Sequence, residues 1–329
     1  MTGQIIHIEQ CGFLTSLQDN GRNGFLQFGV SKGGAMELKA AKYANILVGN
    51  DESETVLEIT QSPHRFHFLQ DIVVAFTGGG LQPQLNNKNI TLYQPVFIAA
   101  DSVIEFKQQL PGYRLYMAVT GGYKSDLFLN SHSTDLLVKA GGHYGRTLKK
   151  DDLLQIKTIQ TSIQKNLQAV LQSGAMLKLN INKPDYQNQL IRVMKSIEWN
   201  YLNELSQTSF TTFQYKISTQ SNRMGYRLKG ELLTTKLPCE IISSAVTQGT
   251  IQLTPSGEMI VLMADAQTVG GYPRIAQVIQ TDLSLLAQKK PGDEISFQLI
   301  GLEEAEEIYL KDAQQFNNIK QTLKQLYAG

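Results

Sequence analysis

Two short stretches of the chain carry the residue types best suited to binding a small polar or anionic ligand. The first is Gln18–Arg22 (QDNGR) and the second is Asp265–Arg274 (DAQTVGGYPR). Each places carboxylate, amide and guanidinium groups beside glycines, just ahead of a segment with a helix-like pattern. Side chains and exposed backbone N–H groups in such a place bind anions well. The two stretches are about 250 residues apart, so they share a site only if the chain folds back on itself.

Charged side chains are the sharpest candidates for chemistry. A carboxylate in a partly dry pocket acts as a general base, and an arginine clamps a substrate carboxylate through two hydrogen bonds. Amide and hydroxyl side chains nearby suit a neutral amide or carbonyl group of the ligand. The charged candidates are Asp19, Arg22, Glu58, Asp265 and Arg274, and the neutral ones are Gln18, Gln267 and Thr268.

Simpler interpretations exist for the same residues. The sequence Asp19-Asn20-Gly21 is a good turn, in which the aspartate accepts from its own backbone and the glycine takes positive φ; spacing alone favours that turn. Gly270 and Gly271 also suit a tight entry into a helix. The run Ser131-His132-Ser133-Thr134 lacks the elbow of a serine nucleophile, which favours a loop hydrogen-bonding role.

The histidines do not predict a metal site. His64 and His67 are three residues apart, but the sequence around them is strand-like. On a strand, side chains three residues apart point to opposite faces of the sheet. We therefore expect no metal ligands among them.

Bulk composition narrows the class of protein. The chain has 329 residues and a formal net charge of +1, which gives no electrostatic case for nucleic acid or a membrane surface. Cys11 and Cys239 are too few for a disulfide scaffold and indicate buried, reduced thiols in a cytoplasmic protein. The segment from residue 1 to 10 is unlike a signal peptide, and no apolar run is long enough to span a membrane.

Most of the chain has the pattern of short strands separated by glycine, asparagine and proline turns, which is typical of barrels or sandwiches. The clearest strand patterns lie at Thr91–Ala100, Val103–Phe106, Tyr113–Thr120 and Glu258–Ala264. Three helices are predicted by apolar periodicity: Ala35–Val48, Pro273–Gln288 and Leu302–Tyr327. The last of them packs on its own domain or on a second copy of the chain, which would make a homo-oligomer.

The length predicts two domains, and one large all-β domain also fits it. We place the domains at 1–165 and 166–329, with a boundary within Lys157–Gly174. A weak internal echo favours a duplication, because an Arg-x-Gly-aromatic pattern occurs at Arg22 and again at Arg223. Each half also has paired glycines, Gly33–Gly34 and Gly270–Gly271, and we expect each pair to open a helix.

Known nucleotide and carrier motifs are absent from the sequence. It has no phosphate-binding loop and no dinucleotide fingerprint after a strand. The dipeptide Met194-Lys195 is superficially similar to a biotinylation site, but its flanking sequence is unlike an exposed hairpin tip. We therefore predict no biotin attachment on this chain.

Several blocks, spread in order over nearly the whole chain, resemble the allophanate hydrolase subunit 2 family of biotin-dependent carboxyltransferase-like proteins. The resembling blocks are Thr15–Gly24, Ala44–Asn50, Leu57–Thr60, Ala118–Gly122, Ser133–Leu136, Ser221–Gly230 and Gly249–Gln277. The resemblance implies a mainly β chain with two tandem cyclophilin-like β-barrel domains and a few helices. It also implies an ATP-hydrolysing 5-oxoprolinase assembly that opens 5-oxoproline to L-glutamate. In such an assembly this chain binds the B subunit directly and works with the A subunit.

A mechanistic hypothesis follows for that reaction. Arg223 or Arg274 clamps the substrate carboxylate, with help from a helix start after Gly270–Gly271. Asp265 or Glu58 is the base that deprotonates water. The lactam amide is held by Gln252 and Gln267. The resemblance does not identify which component of the assembly binds ATP.

Two other functions fit the same resemblance. One is a carboxyltransferase component that acts on a urea-like substrate with carboxybiotin supplied by a separate carrier. The other is a non-catalytic module that binds and antagonises a kinase inhibitor similar to the B subunit.

Overall fold

The computed structural model describes residues 3–60, 63–108, 110–157, 161–174, 177, 179–236 and 241–328. Within these residues the chain is mainly β, as predicted, with twenty strands and five α-helices. It divides into two compact units. Unit 1 comprises Met1–Gly21, Glu37–Lys183 and Gln315–Gly329, and unit 2 comprises Arg22–Met36 and Pro184–Gln314. The division into domains 1–165 and 166–329 stays a prediction.

Unit 1 contains two antiparallel sheets around one apolar core. Its strands are β1 Gln4–Gln10, β2 Leu14–Gln18, β3 Val56–Thr60, β4 His64–Phe68, β5 Ile72–Gly78, β6 Gln82–Leu85, β7 Lys88–Asn89, β8 Pro95–Ile98, β9 Ser102–Gln108, β10 Arg114–Val119 and β11 Leu153–Gln155. The strand orders are β11-β1-β4-β9-β6-β7 and β2-β3-β10-β5-β8. Strands β5 and β10 are buried along their whole length, whereas β1 buries Ile5, Ile6 and Ile8 and leaves His7 and Glu9 partly exposed.

Successive side chains of β4 alternate between the buried core and the outer face of the sheet. His64, Phe66 and Phe68 are buried, whereas Arg65 and His67 are partly exposed on the outer face. The prediction that His64 and His67 point to opposite faces is therefore confirmed. His64 accepts a hydrogen bond from the Gly12 N–H at Nδ1, 3.0 Å away, which satisfies its buried ring.

Two helices belong to unit 1 entirely: α1 Leu38–Leu47 and α2 Ser162–Gln172. Helix α1 confirms the prediction at Ala35–Val48, and Gly49 ends it with φ +72° as a left-handed cap residue. Helix α2 begins with a capping box in which Thr161 and Gln164 bind each other's backbone N–H. It occupies the segment that the sequence suggested as a boundary between domains.

Unit 2 is built on a closed barrel in the order β12-β19-β16-β17-β14-β13-β20. Its strands are β12 Leu190–Lys195, β13 Tyr215–Ile217, β14 Gly225–Lys229, β15 Ser244–Ala245, β16 Thr250–Leu253, β17 Met259–Leu262, β18 Val269–Gly270, β19 Arg274–Val278 and β20 Glu294–Leu299, and its helices are α3 Glu204–Thr212 and α4 Leu283–Ala287. Strands β15 and β18 pair apart from the barrel. Aromatic and aliphatic side chains fill the barrel core, including Phe210 stacked on Phe297 with ring centroids 4.7 Å apart.

The predicted helix at Pro273–Gln288 is wrong. Residues 274–278 form β19, which pairs with β12 and β16 and helps to close the barrel. Apolar residues at helical spacing also fit a short buried strand, and here the ladder bonds to two neighbours decide the conformation. Only the short α4 follows, so no helix starts at Gly270–Gly271. Gly33 and Gly34 likewise lie in a loop with φ +64° and +91°, and α1 begins later, at Leu38.

Helix α5 spans Leu302–Ala328 and confirms the third predicted helix. Its C-terminal part belongs to unit 1, where the Tyr327 hydroxyl donates to the Leu47 carbonyl over 2.8 Å. Lys320 pairs with Glu52 at 2.5 Å, and the Phe316 ring meets the edge of Tyr43 with centroids 5.0 Å apart. These contacts show that this part of α5 packs on the chain's own unit 1.

Of the two cysteines, Cys11 is described and is a free thiol of intermediate burial. Burial raises its pKa to about 11, which makes it a poor nucleophile at neutral pH. Cys239 lies outside the described residues.

Candidate functional site

A bidentate ion pair in unit 2 joins two of the predicted site residues. The Arg223 Nε donates to Asp265 Oδ2 over 2.8 Å, and its Nη2 donates to Asp265 Oδ1 over 3.0 Å. The same Nη2 also donates to the Gly34 carbonyl over 2.6 Å. The Arg223 side chain is 9% exposed, whereas that of Asp265 is 22% exposed. The carboxylate is therefore the more accessible member of the pair.

The barrel strands place this pair. Arg223 lies just before β14 and Asp265 just after β17, and these two strands are antiparallel partners. Backbone bonds extend the pairing beyond both strands, because Met263 N–H donates to the Met224 carbonyl and Asp265 N–H to the Arg223 carbonyl. The bond from Asp265 N–H to the Arg223 carbonyl places the two residues next to each other just beyond the β14–β17 pairing. Cross-strand neighbours of this kind bring their side chains within reach of each other.

A second guanidinium, from the Arg22–Met36 segment of unit 2, lies in the same neighbourhood. Gly33 N–H donates to the Ala264 carbonyl over 3.0 Å, which docks the segment beside Asp265. A Cβ on Gly33 would lie 2.6 Å from Arg22 Nη1 and 3.7 Å from Asp265 Oδ1. Arg22 is 1% exposed. Within unit 2, side-chain atoms of Arg22 and Asp265, one from each candidate stretch, therefore both lie within 4 Å of the Gly33 Cβ position.

Amide groups cluster on the segment that follows. The Gln267 Nε2 donates to Gln252 Oε1 over 3.3 Å, and Gln252 is buried on β16. A Cβ on Gly270 would lie 2.5 Å from Gln252 Nε2, so only glycine permits this approach without a shift. The Gln267 side chain is exposed. The two glutamines therefore offer an amide pair that is buried at one end and open at the other.

The remaining predicted residues of this stretch have structural partners. The Arg274 guanidinium binds Glu198 through Nε at 3.0 Å and Nη2 at 2.8 Å, and its Nη1 donates to the Ala245 carbonyl. The Thr268 carbonyl accepts from Val246 N–H. A Cβ on Gly271 would make ordinary contacts with Ser243 and the Ile241 carbonyl, each 3.4 Å away.

The Glu198–Arg274 pair shifts the pKa of both groups. Hydrogen bonding to Glu198 raises the pKa of Arg274 above its ordinary value. Burial alone would raise the pKa of Glu198, but hydrogen bonds from the Arg274 side chain and backbone outweigh it and lower that pKa. Arg274 is thus committed to a carboxylate of the chain itself.

Asp19 belongs to unit 1 and anchors a loop. Its Oδ1 accepts from Gly21 N–H, Ser131 Oγ and Ser133 Oγ, and its Oδ2 accepts from His132 N–H, all within 2.8 Å. Gly21 has φ +81°. These are the bonds that the turn interpretation and the loop interpretation of the Ser-His-Ser run predict.

Gln18 and Glu58 are also buried in unit 1. Gln18 Nε2 donates to Ser16 Oγ over 2.9 Å. The Tyr116 hydroxyl donates to Glu58 Oε2 over 3.0 Å and accepts from Glu37 N–H over 2.8 Å. Burial, and next the Glu58 charge, raise the pKa of Tyr116 well above its ordinary value. Glu58 and Asp265, the two predicted catalytic carboxylates, thus belong to different units.

The partners that fix these side chains have no signal in the local sequence. Gly34, Glu198 and Tyr116 each bind a candidate residue, but each is far from it in sequence. The Arg-x-Gly-aromatic echo did mark both arginines near Asp265. Its two copies differ locally, since Gly24 is in a loop with φ +88° and Gly225 begins β14.

Unit 2 thus combines a closed barrel with an arginine–carboxylate site. Comparison of the sequence with known proteins identifies the family of this chain. The family model described as carboxyltransferase domain, subdomain A and B, matches residues 28–299. The chain belongs to this family.

Two curated relatives are similar over nearly their whole length. The chain is 37% identical over 302 residues to the C subunit of 5-oxoprolinase from Escherichia coli K12, covering 92% of this chain and 93% of that protein. It is 35% identical over 298 residues to the C subunit of 5-oxoprolinase from Haemophilus influenzae, covering 90% and 92% respectively.

Solved structures share the fold over part of their length. The crystal structure of TTHA0988 superposes with a TM-score of 0.75 at 26% identity, over 90% of this chain and 55% of that one. The Kluyveromyces lactis urea carboxylase gives a TM-score of 0.84 at 24% identity, over 97% of this chain and 29% of that one. The chain therefore spans about half or less of the length of these two solved chains. Across the described residues, no helix combines the length and apolar character that crossing a bilayer requires.

Proposed function

We propose that this chain is one component of an ATP-hydrolysing 5-oxoprolinase that opens 5-oxoproline to L-glutamate. Support comes from the two curated relatives, which are named as C subunits of 5-oxoprolinase and align over more than 90% of their own length. On this proposal the chain works in the cytoplasm, binds the B subunit directly and joins the A subunit. ATP is used by the complex, and this chain carries no biotin.

One observation carries the assignment of the site: Arg223 binds the Asp265 carboxylate through two hydrogen bonds, and atoms of Arg22 and Asp265 both lie within 4 Å of the Gly33 Cβ position in unit 2. Two guanidinium groups near one accessible carboxylate favour the binding of an anion such as the carboxylate of 5-oxoproline. Because Asp265 is the more exposed member of its pair, it is the group that meets a bound ligand.

The site residues then have separate roles. Asp265 accepts the proton of the attacking water, and Arg223 is a positioning residue that holds the carboxylate in one orientation. Arg22 and Arg223 supply the positive charge that the substrate carboxylate requires. The lactam amide binds Gln267 and Gln252, whose side chains already form an amide pair. Glu58 and Asp19 have structural roles in unit 1.

The reaction needs activation because a lactam carbonyl is a poor electrophile. Transfer of the γ-phosphoryl group of ATP to the lactam oxygen makes its carbon susceptible to water. Water then adds, the ring C–N bond breaks and the nitrogen leaves as the protonated amine. A second water releases phosphate from the acyl group to give L-glutamate. Asp265 assists the additions of water.

The test is the Asp265→Asn variant in a complex reconstituted with the A and B subunits. We expect glutamate formation to fall at least about 100-fold, the usual loss for a general base. Asp282→Asn is the matched control, because Asp282 forms a bidentate pair with Arg192 in the same unit, outside the site. Unchanged glutamate formation by Asp265→Asn would remove Asp265 from the chemistry.

A second candidate is carboxyl transfer to a urea-like substrate, which is favoured by the description of the matching family model. The urea carboxylase is 24% identical to this chain, so its structural similarity shows only that the two share a fold. In this chain, Lys195 ends strand β12 with its ammonium 5.4 Å from the centroid of the Trp199 ring, unlike a carrier lysine at a hairpin tip. This candidate is tested by supplying a carboxybiotin carrier in trans with urea as acceptor and measuring the carboxylated urea that is formed.

A further inference from the structure

The outer face of the first sheet of unit 1 carries a histidine–carboxylate cluster that the proposed reaction does not use. His7 on β1 and His67 on β4 are directly opposite in the antiparallel register. Glu9 is two residues beyond His7 and therefore points to the same face. All three side chains are partly exposed. Directly opposite side chains on one face of a sheet lie close enough to share a ligand.

A carboxylate from a turn lies near the Nε2 of each histidine. His7 Nε2 is 3.2 Å from Asp151 Oδ1, and His67 Nε2 is 3.5 Å from Asp101 Oδ1. Both aspartates have left-handed backbone, with φ +69° and +61°, in the turns that lead into β11 and β9. The four side chains thus form a row across the adjacent strands β11, β1, β4 and β9.

This arrangement aims a nitrogen of His67 at Glu9. With its Nε2 beside Asp101, the His67 Nδ1 lies 3.7 Å from Glu9 Oε1. The other oxygen of Glu9 is held by Arg65 Nε at 2.5 Å. A carboxylate that binds one ring nitrogen of histidine and leaves the other to a metal is the usual support of a metal ligand.

The distances suit a metal ion after small rotations. One donor atom from each of His7, Glu9 and His67 lies within 4.8 Å of the others. Ligand atoms of a tetrahedral zinc ion are about 3.4 Å apart. The side chains are partly exposed, so they rotate without repacking the core. Glu105 also binds the Arg65 guanidinium, which offsets the positive charge of Arg65 beside the cluster.

We propose that His7, Glu9 and His67 bind a divalent transition-metal ion of the zinc class, with Asp151 and Asp101 orienting the two histidines. Two imidazoles and one carboxylate are the donor set of zinc and its neighbours, whereas magnesium and calcium prefer oxygen ligands throughout. Three protein ligands leave the fourth position to water.

The test is a calorimetric titration of the EDTA-treated full-length chain with ZnCl₂. We expect one equivalent of zinc to bind, and His7→Gln and His67→Gln each to weaken binding at least about tenfold. His132→Gln is the matched control, because His132 is also a partly exposed unit 1 histidine but binds Ser125 instead. Its zinc affinity should equal that of the wild type.

Cobalt absorption gives a second measurement that does not depend on affinity alone. Addition of CoCl₂ to the wild type should produce ligand-field bands, and His67→Gln should lose or shift them while it unfolds at the same temperature as His132→Gln. The proposal is overturned if the wild type binds no zinc below about 100 μM. It is equally overturned if the His7 and His67 variants bind zinc with unchanged stoichiometry and affinity.

Discussion

Asp19 in unit 1 and Asp265 in unit 2 have similar surroundings in sequence but different partners in the fold. Asp19 is surrounded by neutral donors, namely two backbone N–H groups and the hydroxyls of Ser131 and Ser133. Asp265 binds the Arg223 guanidinium through two hydrogen bonds, and its side chain is 22% exposed. A carboxylate whose oxygens are occupied by hydrogen bonds from the chain's own loop has a structural role. Charged partners behind an accessible carboxylate are typical of a ligand site.

Removal of the Asp19 carboxylate should give the largest loss of stability. Asp19→Ala leaves the N–H of His132 and the hydroxyls of Ser131 and Ser133 without their acceptor in a buried place. Unsatisfied buried donors cost about 1–3 kcal/mol each, so we expect a loss of about 3 kcal/mol or more in the free energy of unfolding. Denaturant unfolding followed by circular dichroism measures it. A loss below about 1 kcal/mol would contradict the anchoring role.

Substitution of Gly33 should cause a smaller loss of stability, which comes from the unit 2 site. Gly33→Ala introduces a Cβ 2.6 Å from the buried Arg22 guanidinium at a φ of +64°, and we expect a loss of about 2 kcal/mol. Gly24→Ala is the matched control, since Gly24 has φ +88° but no atom within 4 Å of its Cβ position. It should lose only about 1 kcal/mol. Equal losses, measured by denaturant unfolding, would mean that the Arg22 contact contributes nothing.

The Glu198–Arg274 pair should give the smallest effect, and its contribution to stability should depend on pH. The folded state lowers the pKa of Glu198 below its ordinary value of 4.5. The pair therefore stabilises the protein above about pH 4.5, and this contribution is lost as pH falls through the lowered pKa, because the unfolded chain binds the proton first. Glu198→Gln should flatten the acid side of a plot of unfolding free energy against pH. An unchanged slope below pH 4.5 would contradict this linkage.

Local sequence patterns predict those elements whose conformation depends mainly on neighbouring residues. The turn at Asp19–Gly21, helix α1 with its Gly49 cap and helix α5 all follow from residue types within a few positions. The same reasoning failed at Pro273–Gln288, where the spacing of Ile275 and Val278 fits a helix, but ladder bonds to β12 and β16 make a strand. Pairing with distant strands makes this segment a strand. The positions of those strands cannot be read from the sequence of the segment itself.

The site itself was predicted only in part, for the same reason. Asp265 and Arg223 were identified as candidates, and they are ion-paired because β14 and β17 are partners. Nothing near Arg22 in sequence indicates that Gly33 docks at Ala264 and brings Arg22 beside Asp265. The histidine row of unit 1 is a similar case, since His7 and His67 are 60 residues apart and meet only through strand pairing.

The most direct test compares the two aspartates in one assay. The kcat/KM for 5-oxoproline is measured for the reconstituted complex with Asp265→Asn or Asp19→Asn, each normalised to the folded fraction of this chain. The account predicts that Asp265→Asn loses at least about 100-fold per folded complex, whereas Asp19→Asn keeps the wild-type value per folded complex and loses stability instead. A wild-type kcat/KM in Asp265→Asn, or a loss of about 100-fold in fully folded Asp19→Asn, would contradict it.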